Sequence, residues 1–282
     1  MDVVIGFLEA ELARGTTHVL LDAQAREGLR ELGRKVREGL PERAARSLPA
    51  APAAVDRPAS PPPEVLSVVT IQGDSKEEKL ASLRRQAESW APARSLGTLR
   101  ETMVFATGNP DASIMLVGEA PGHEEERKEE PFVGPAGKKL DDILRAMGLS
   151  RQDVYISNIV KFRPATLRQT TNNRKPDAAE IASCLPFVRA EVGIVRPSCI
   201  IALGATAAEG LLAKTIPVAA MRGSWHEFEG VPVRVTYHPS YLLRSDSDLT
   251  AKRALWEDML AVMERLEMPV TAKQRGFFLP KS

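Results

Sequence analysis

Four short apolar runs, separated by longer amphipathic stretches, limit what this chain can fold into. The runs cover residues 113–117, 154–160, 198–203 and 231–237. Between and after them, residues 136–147, 177–195 and 250–267 carry apolar side chains at helical spacing. Strands that alternate with helices form a mostly parallel sheet with helices on both faces. The sequence therefore predicts an α/β fold of three layers, α/β/α, around a central four-stranded, mostly parallel sheet.

A segment rich in proline and alanine divides the chain. We interpret residues 41–73 as a semi-rigid linker, because this segment is proline-rich up to residue 63 and has no aromatic residue. Residues 1–40 have apolar residues at helical spacing but are few for an independent core, which favours a small helical docking or oligomerising segment. The sequence thus predicts a helical N-terminal segment 1–40, the linker 41–73, an α/β domain 74–268 and a tail 269–282.

Composition excludes several classes of protein. With 38 Lys and Arg against 37 Asp and Glu the formal net charge is +1, so contact with nucleic acid requires a local basic patch. Two cysteines, Cys184 and Cys199, cannot form a disulfide framework, which fits a reducing cytosol. No basic leader and no stretch of membrane-spanning length is present in the sequence, so we expect a cytoplasmic protein without a membrane partner.

Unusual residues follow each apolar run. Gly118 to Gly122 (GEAPG) form a tight elbow after the first run, and Asn158 and Lys161 lie near the end of the second. Residues 204–206 (GAT) follow the third run and residues 238–240 (HPS) the fourth. Ligands of parallel sheets bind beyond the carboxyl ends of the strands, so these residues predict one common site.

Each of these residues also has a plain structural interpretation. Glu119 could be a solvated residue of a strand-to-helix turn, and Phe132, in a loop bounded by Gly and Pro, could be a core side chain. Asn158 lies in a strongly apolar strand, where an unpaired amide would cost a few kcal/mol, so it either pairs with backbone or faces a ligand. For His238, at a turn set by Pro239, structural and functional roles are equally open.

Five motifs in order, GEAPG, PFVG, SNIVKFRP, ALGAT and HPSYLLR, together resemble the uracil-DNA glycosylase superfamily, most of all its family-four, iron-sulfur branch. The resemblance covers about residues 78–266. Members of this family remove uracil from DNA by hydrolysing the N-glycosidic bond, which leaves an abasic site. The resemblance implies a pocket that receives a flipped base.

The resemblance assigns pocket roles residue by residue. Phe132 matches the ring that stacks on the flipped pyrimidine, and Asn158 matches the amide that pairs with the edge of uracil. Glu125 matches the residue that crowds the C5 edge and disfavours thymine. His238 would face the O2 oxygen and stabilise the departing anion. The catalytic set implied is His238, Glu119 and Asn158.

The elbow contributes further pocket residues. Ala120 and Gly122 match its pocket-lining positions. Ala120 stands where the superfamily's best-known members have an Asp that handles the attacking water. The matching branch also lacks that Asp, so leaving-group stabilisation would carry more of the barrier. Another branch traps DNA covalently through a His after the Asn strand, and no His occurs in that loop here.

Contacts with DNA are expected from five residues. Lys161 and Arg163 belong to a run, 161–175, that has five basic residues and no acidic one, which suits phosphate contacts. Ser240 could hold a phosphate or only cap the turn. Leu242 is placed like the family's wedge, which fills the gap left by the base, but could be a surface leucine; Arg244 follows it. The alternative for residues 161–175 is a solvated loop whose positive charge balances the acidic residues 124–130.

The cluster cysteines of the iron-sulfur branch are largely missing. Counted without gaps, three of the four ligand positions fall on Ala91, Arg94 and Phe162, and only Cys184 matches; Cys199 is more typical of a core strand residue. One thiolate cannot hold a cluster that needs four ligands. We therefore expect no iron-sulfur cluster and no other cofactor or metal, with Trp90 and Phe162 packing the region.

The sequence as a whole predicts a monofunctional, metal-free uracil-DNA glycosylase of base-excision repair, with uracil-containing DNA as its partner. The alternative is a non-catalytic DNA-binding or replication-associated module on the same fold. The tail from Gln274 to Phe278 resembles short peptides that dock onto DNA sliding clamps, which makes a clamp a second possible partner. Two adjacent phenylalanines near a terminus more often fold back onto their own domain.

Overall fold

The computed structural model describes residues 68–244 and 248–279 of the chain. The N-terminal segment 1–40 and the linker up to residue 67 lie outside the described residues. The longer helices are α1 (Lys76–Glu88), α4 (Pro135–Met147), α5 (Ala178–Val195), α6 (Ala205–Leu212) and α9 (Leu249–Arg265). The shorter ones are α2 (Ala91–Arg94), α3 (His123–Lys128), α7 (Val218–Met221), α8 (Pro239–Arg244) and α10 (Ala272–Arg275).

The strands form one large sheet and a two-stranded ribbon. They are β1 (Leu99–Met103), β2 (Ala106–Gly108), β3 (Ile114–Gly118), β4 (Tyr155–Asn158), β5 (Phe162–Pro164), β6 (Cys199–Leu203), β7 (Trp225–Phe228) and β8 (Val231–Thr236). The large sheet has the order β2-β4-β3-β6-β8-β7, and β1 pairs with β5. Its four central strands are parallel, and β2 and β7 are antiparallel at the edges. The expected sheet of four strands is thus extended to six.

The two edge strands escaped prediction for a physical reason. β2 and β7 are three and four residues long and are mostly half-buried, so neither forms a continuous apolar run. The central strands β3 and β6 are buried at every position. A strand covered on both faces is apolar throughout, and only such strands are visible as runs in the sequence.

Alternating side chains divide the core into two layers. Met115 and Val117 of β3 face the cluster that contains Leu83 of α1 and Phe187 of α5. Leu116 faces the opposite cluster, which includes residues of α4 and α9. Helices therefore cover both faces of the sheet, and the predicted three-layer α/β/α fold is confirmed.

Helix α4 shows how the local sequence sets an element that borders the site. It begins with Pro135 at its first position and ends at Gly148, whose φ of 83° is left-handed. Proline is favoured at the first turn because its missing N–H needs no partner there, and glycine accepts the left-handed backbone at the end. Leu140 and Leu144 are buried on the inner face of α4. This fixes the loop that precedes α4 against the sheet.

The tail packs on the α/β domain. The Gln274 side-chain amide donates to the Ala146 carbonyl oxygen over 2.9 Å, and the Trp256 indole N–H donates to the Gln274 carbonyl oxygen over 2.6 Å. The Phe277 ring lies 5.2 Å from the Trp256 ring. Phe277 therefore folds back onto the domain, as the alternative to clamp docking predicts, whereas Phe278 is 40% exposed.

The order in which the chain adds strands to the sheet reverses at β3. From β3 the chain crosses to β4 on one side, and it later returns to β6 on the other side of β3. The carboxyl ends of β3 and β6 therefore border a crevice at a topological switch point, where α/β sheets bind their ligands. No helix within the described ranges is long and apolar enough to span a bilayer.

Candidate active site

A cavity of about 520 Å³ opens at this switch point. Its wall combines residues that follow all four central strands: Glu119 after β3, Asn158 at the end of β4, Thr206 after β6, and His238 after β8. The expected meeting of the strand ends therefore takes place. The other pocket residues assigned from the sequence also line it, namely Ala120, Gly122, Glu125 and Phe132. Ser240, which the sequence assigned to DNA contact, lines the same cavity.

The Asn158 amide and the Phe132 ring meet over Gly118. A Cβ added to Gly118 would lie 2.4 Å from Asn158 Oδ1 and 2.5 Å from Phe132 Cζ. Asn158 is 2% exposed and Phe132 5% exposed. Since no other residue leaves this space, Gly118 is what lets an amide and an aromatic ring share one side of the cavity.

The loop that carries Phe132 is held in a strained conformation. Phe132 has a φ of 56°, which is uncommon for a bulky residue. The Arg151 guanidinium donates to the carbonyl oxygens of Pro131 and Phe132 and pairs with Asp141. Gly137 of α4 lies directly under the Phe132 carbonyl, where any side chain would collide. Strain of this kind persists only where the surroundings enforce it, and it is common at functional sites.

Glu125 joins the elbow to the Phe132 loop. Its carboxylate accepts backbone N–H groups from Gly122 over 3.2 Å, from Val133 over 3.1 Å and from Gly134 over 2.9 Å. Charge-assisted hydrogen bonds to backbone are stronger than neutral ones. Glu125 is therefore fixed in the cavity wall, and its carboxylate links the two loops.

Glu119 faces Thr206 across the switch point. The Thr206 hydroxyl donates to Glu119 Oε2 over 3.0 Å. Burial raises the pKa of the Glu119 carboxyl, and the Thr206 hydrogen bond and the positive charge of Lys175 lower it in part. A carboxyl that is desolvated but retains a donor and a nearby cation is suited to exchanging a proton in the site.

His238 is oriented by Ser240. The Ser240 backbone N–H donates to His238 Nδ1 over 3.2 Å, and the Ser240 hydroxyl lies 2.7 Å from the same nitrogen. A backbone N–H can only donate, so Nδ1 accepts, and in the neutral ring the proton is assigned to Nε2. The His238 ring lies 5.7 Å from the Phe132 ring. Gly204, with a φ of 94°, leaves room for the His238 Cβ.

The chain resembles known proteins over this region. The family model of the uracil DNA glycosylase superfamily matches residues 105–260. A type-4 uracil-DNA glycosylase of Thermotoga maritima is 42% identical over 162 residues, which are 57% of this chain and 81% of the relative. One from Saccharolobus solfataricus is 36% identical over 186 residues, 62% of this chain and 82% of the relative. A type-5 enzyme of Pyrobaculum aerophilum is 32% identical over 162 residues, 51% of this chain and 69% of the relative.

This chain belongs to the uracil DNA glycosylase superfamily. The matched region contains every strand of the large sheet and every pocket residue named above. The resemblance to the family-four branch that the motifs indicated is confirmed by the type-4 relatives. The structure of this member departs from expectation at several residues assigned to DNA contact and at the expected cluster ligands.

Lys161 is buried and so is not exposed for a DNA contact, which corrects the sequence-based assignment. Its side chain is 0% exposed, and its ammonium group lies 2.8 Å from the equally buried carboxylate of Glu191. Ser157 contacts both members of this pair. Burial raises the pKa of the Glu191 carboxyl, against the lowering effect of Lys161. Lys161 is therefore a core residue beneath the strand that presents Asn158.

The assignment of Arg163 to DNA is also corrected. Its side chain is 1% exposed and pairs with Glu126 over 2.9 Å. The same guanidinium donates to Asn173 Oδ1 and to the carbonyl oxygens of Thr170 and Asn172. All these partners except Glu126 belong to the loop after β5. Arg163 thus shapes the loop that borders the cavity, and its buried side chain is not exposed for a phosphate contact.

Leu242 is not available as a wedge. It is 6% exposed and belongs to the core cluster shared by α4 and α9, whereas its helix neighbours Tyr241 and Leu243 are 38% and 41% exposed. A helix six residues long buries one face, and Leu242 is on that face. Arg244 ends the same helix, and its side chain lies outside the described residues.

The four expected cluster positions do not fit an iron-sulfur cluster. The Arg94 guanidinium lies over the Phe162 ring, and Cys184 is buried with its pKa raised by burial. Cys199 belongs to the opposite core layer. Among the described residues no group of three or more His, Cys, Asp and Glu could hold a metal ion. Trp90 and Phe162 are both buried in one cluster, as expected, and the Trp90 indole donates to the Ser183 carbonyl.

The sequence left several cavity residues unassigned. Thr206 and Lys175 were visible only as parts of the GAT motif and the basic run, and the side chain of Lys175 is 54% exposed beside Glu209. Tyr237 and Tyr241 also line the cavity. A tyrosine on each side of the His-Pro-Ser motif was the available signal, because an aromatic next to a strand end borders whatever binds there.

Proposed function

We propose that this chain is a monofunctional uracil-DNA glycosylase that flips uracil out of DNA, hydrolyses the N-glycosidic bond and leaves an abasic site for base-excision repair. The observation that carries the proposal is the convergence of Asn158, Phe132 and His238 around one cavity. Membership of the superfamily and relatives named as type-4 uracil-DNA glycosylases support it.

The reaction breaks the bond between C1′ of the deoxyribose and N1 of uracil. The bonding electron pair leaves with uracil, so the sugar becomes positive and the base negative. The hydroxide part of a water molecule then adds to C1′, and the proton from that water balances the uracil anion. Catalysis therefore requires a group that stabilises the anion and a group that manages the water.

His238 is placed to stabilise the anion. With Nδ1 accepting from Ser240, the neutral ring has its proton on Nε2 and can donate it in a hydrogen bond to the O2 oxygen of the departing uracil. A single preorganised donor of this kind typically contributes about 3 to 4 kcal/mol to transition-state stabilisation. The Ser240 hydroxyl already contacts His238 Nδ1. If Ser240 also binds a phosphate, it does so in addition to orienting His238.

Asn158, Phe132 and Glu125 select the base. The Asn158 amide offers a donor and an acceptor that match the edge of uracil and mispair with cytosine. The Phe132 ring stacks on the flipped pyrimidine, and its strained loop holds the ring in place before the base arrives. Glu125, fixed by three backbone N–H groups, stands in the wall where a methyl group at C5 of thymine would collide.

Glu119 is the group proposed to manage the water. As a carboxylate it stabilises the positive sugar and accepts the proton of the attacking water. Its neighbour Ala120 has no polar group, so the carboxylate of the elbow must come from Glu119 itself. None of these steps is routed through an iron-sulfur cluster, because three of the four expected ligand positions are not cysteines.

The proposal is tested by incubating the full chain with single- and double-stranded oligonucleotides that contain one uracil, followed by cleavage at abasic sites. Asn158→Ala and His238→Ala should each lower the single-turnover rate about 100-fold or more, as a loss of about 3 kcal/mol requires. Matched controls are Asn109→Ala and His226→Ala, which alter an Asn and a His outside the cavity wall.

Two outcomes contradict this proposal. If the parent protein releases no uracil but binds uracil-containing DNA, the non-catalytic module is the better description. If Asn158→Ala and His238→Ala fold normally and excise uracil at the parent rate, the site assignment is wrong. Loss of activity together with a lowered melting temperature would indicate a core defect, and the controls identify that case.

DNA containing uracil is the proposed partner, and the cytoplasm the proposed location. Clamp docking through Gln274 to Phe278 remains a separate proposal, supported by the order of its residues alone. Gln274 and Phe277 are both engaged within the domain, so the tail would have to detach before it could bind a clamp. Removal of residues 272–282 should abolish affinity for the sliding clamp; unchanged or absent affinity ends the idea.

A further inference from the structure

Three side chains form a stack that ends at the rim of the cavity. The guanidinium carbon of Arg222 lies 4.6 Å from the centre of the Tyr237 ring. The Tyr237 ring lies 4.9 Å from the Tyr241 ring, with 17° between their planes. Arg222 directly follows α7, Tyr237 lies in the turn after β8, and Tyr241 belongs to α8. It serves no step of the reaction described above.

The inner end of the stack is rigidly held. Arg222 pairs with Asp258, whose side chain is 0% exposed, and donates to the Ala254 carbonyl oxygen of α9. Asp258 also accepts hydrogen bonds from Arg234 over 3.0 Å and from the Thr236 hydroxyl over 2.8 Å. A guanidinium fixed by a buried carboxylate keeps one face against Tyr237, where a cation and an aromatic face attract each other.

The outer end of the stack is exposed at the cavity. Tyr241 is 38% exposed although Tyr237 covers one face of its ring. Tyr237 and Tyr241 line the same cavity as His238, and the Tyr241 backbone N–H donates to the His238 carbonyl oxygen over 2.8 Å. An aromatic side chain that is preorganised on one face and solvent-accessible elsewhere is suited to receive another flat ring.

We propose that Tyr241 is a stacking site for a nucleobase adjacent to the extruded uracil on the same strand. The inference rests on the proposed function, because it assumes that the cavity receives a base from DNA. Once uracil has entered beside His238, the neighbouring base has lost one stacking partner and lies at the cavity rim. Every base has an aromatic face, so this contact holds the strand without reading its sequence. Single-stranded DNA gains most, since its bases have no opposite strand to order them.

The test measures whether Tyr241 and the neighbouring base act together. Fluorescence anisotropy gives Kd for single-stranded oligonucleotides with one 2′-fluoro-2′-deoxyuridine, which resists cleavage, so binding is measured apart from chemistry. In matched oligonucleotides the 5′ or the 3′ neighbour is replaced by an abasic tetrahydrofuran. For the parent, removal of one of the two neighbouring bases should weaken binding about 5- to 150-fold, the range for loss of one base–aromatic stack.

Tyr241→Ala should weaken binding of the intact oligonucleotide by a similar factor, and removal of the same base should then have no further effect. Tyr241→Phe keeps the ring and should behave as the parent. On oligonucleotides with ordinary deoxyuridine, Tyr241→Ala should raise KM and leave the single-turnover rate at saturation unchanged. A merely structural role for Tyr241 would lower the melting temperature and would not remove the effect of the neighbouring base.

The inference is overturned if Tyr241→Ala binds the intact oligonucleotide as the parent does, or if removal of either base weakens both proteins equally. Failure of the proposed function is a different result, in which the parent releases no uracil from any deoxyuridine substrate. The binding cycle still decides the stacking site in that case, because it requires no catalysis.

Discussion

The guanidinium carbon of Arg94 lies 4.6 Å from the centre of the Phe162 ring. Both residues occupy positions where the family-four branch is expected to have cluster cysteines. Here a cation and an aromatic face contact each other, and neither side chain can bind iron. Trp90 packs edge-on against Phe187 in the same layer, with 4.9 Å between the ring centres. Side-chain packing thus joins α2, β5 and α5 in the region where the resemblance to the family-four branch implies cluster cysteines.

Purified without oxygen, the protein should be colourless and contain neither iron nor acid-labile sulfide, because one buried thiol cannot hold a four-ligand cluster. Iron and sulfide analysis together with the visible absorption spectrum checks this. Cys184→Ala should leave the rate of uracil release per folded molecule unchanged. Stoichiometric iron that disappears in Cys184→Ala would show that ligands are supplied from elsewhere.

Gly118→Ala should disable the site although it adds one methyl group. The new Cβ would collide with Asn158 Oδ1 and with the Phe132 ring, so both base-binding groups must shift. We expect a loss of excision activity of about 100-fold and a destabilisation of about 1 to 3 kcal/mol. Gly193→Ala in α5 is the matched control, since nothing lies within 4 Å of its added Cβ. Equal activity of Gly118→Ala and the parent would exclude the described arrangement of Asn158 and Phe132.

The residues that sequence analysis placed correctly in the cavity and those it misplaced differ in a physical way. Asn158 and His238 follow directly from the ends of apolar strands, and parallel strands bring their ends together whatever the details of packing. Lys161 was misplaced because its partner Glu191 is 30 residues away on α5. Arg163 was misplaced likewise, because Glu126 is 37 residues away. A local run of charges shows how many cations are present but not which of them a distant carboxylate buries.

The excision rate should depend on the ionisation of Glu119, with a midpoint above the usual pKa of a glutamate. Burial raises its pKa above 4.5, so the carboxylate is lost as the pH falls through that raised value, and the rate falls with it. Thr206 stabilises the carboxylate, so Thr206→Val should move the midpoint to higher pH. Single-turnover rates as a function of pH check this. Thr215→Val is the control, because the Thr215 hydroxyl donates to Glu209 and not to Glu119.

The same pKa shift predicts an effect on stability. A carboxyl whose pKa is raised by folding binds its proton more tightly in the folded state. Its contribution therefore favours the folded state at low pH and is lost as the pH rises from 4.5 through the folded pKa. Glu119→Gln should consequently raise the melting temperature at pH 7 while it lowers activity. A lower melting temperature in Glu119→Gln would mean that the Thr206 hydrogen bond outweighs burial.

Lys161 and Lys175 should respond differently to removal. Lys161→Ala leaves Glu191 buried without its cation, so we expect a loss of about 3 to 5 kcal/mol in the free energy of unfolding. Lys175→Ala, at an exposed position, should change stability little. It should instead reduce the slope of log affinity against log salt concentration by about one, as the loss of one phosphate contact does. Urea unfolding and Kd at several salt concentrations distinguish the two, and a reduced salt slope in Lys161→Ala would restore its assignment to DNA.

Leu242 and Leu243 allow a test of which residue of α8 could act as a wedge in DNA. They are neighbours on one short helix, but Leu242 is buried and Leu243 is exposed. Leu242→Ala removes a side chain packed in the core and should cost about 2 to 5 kcal/mol, with excision per folded molecule unchanged. Leu243→Ala should cost little stability, since its side chain is 41% exposed. If a leucine of α8 fills the gap in duplex DNA, Leu243→Ala should lower the excision rate on double-stranded uracil substrates more than on single-stranded ones. If Leu242→Ala instead melts as the parent does and loses activity on duplex DNA alone, Leu242 is the wedge after all, and α8 must turn its buried face outward when it binds DNA.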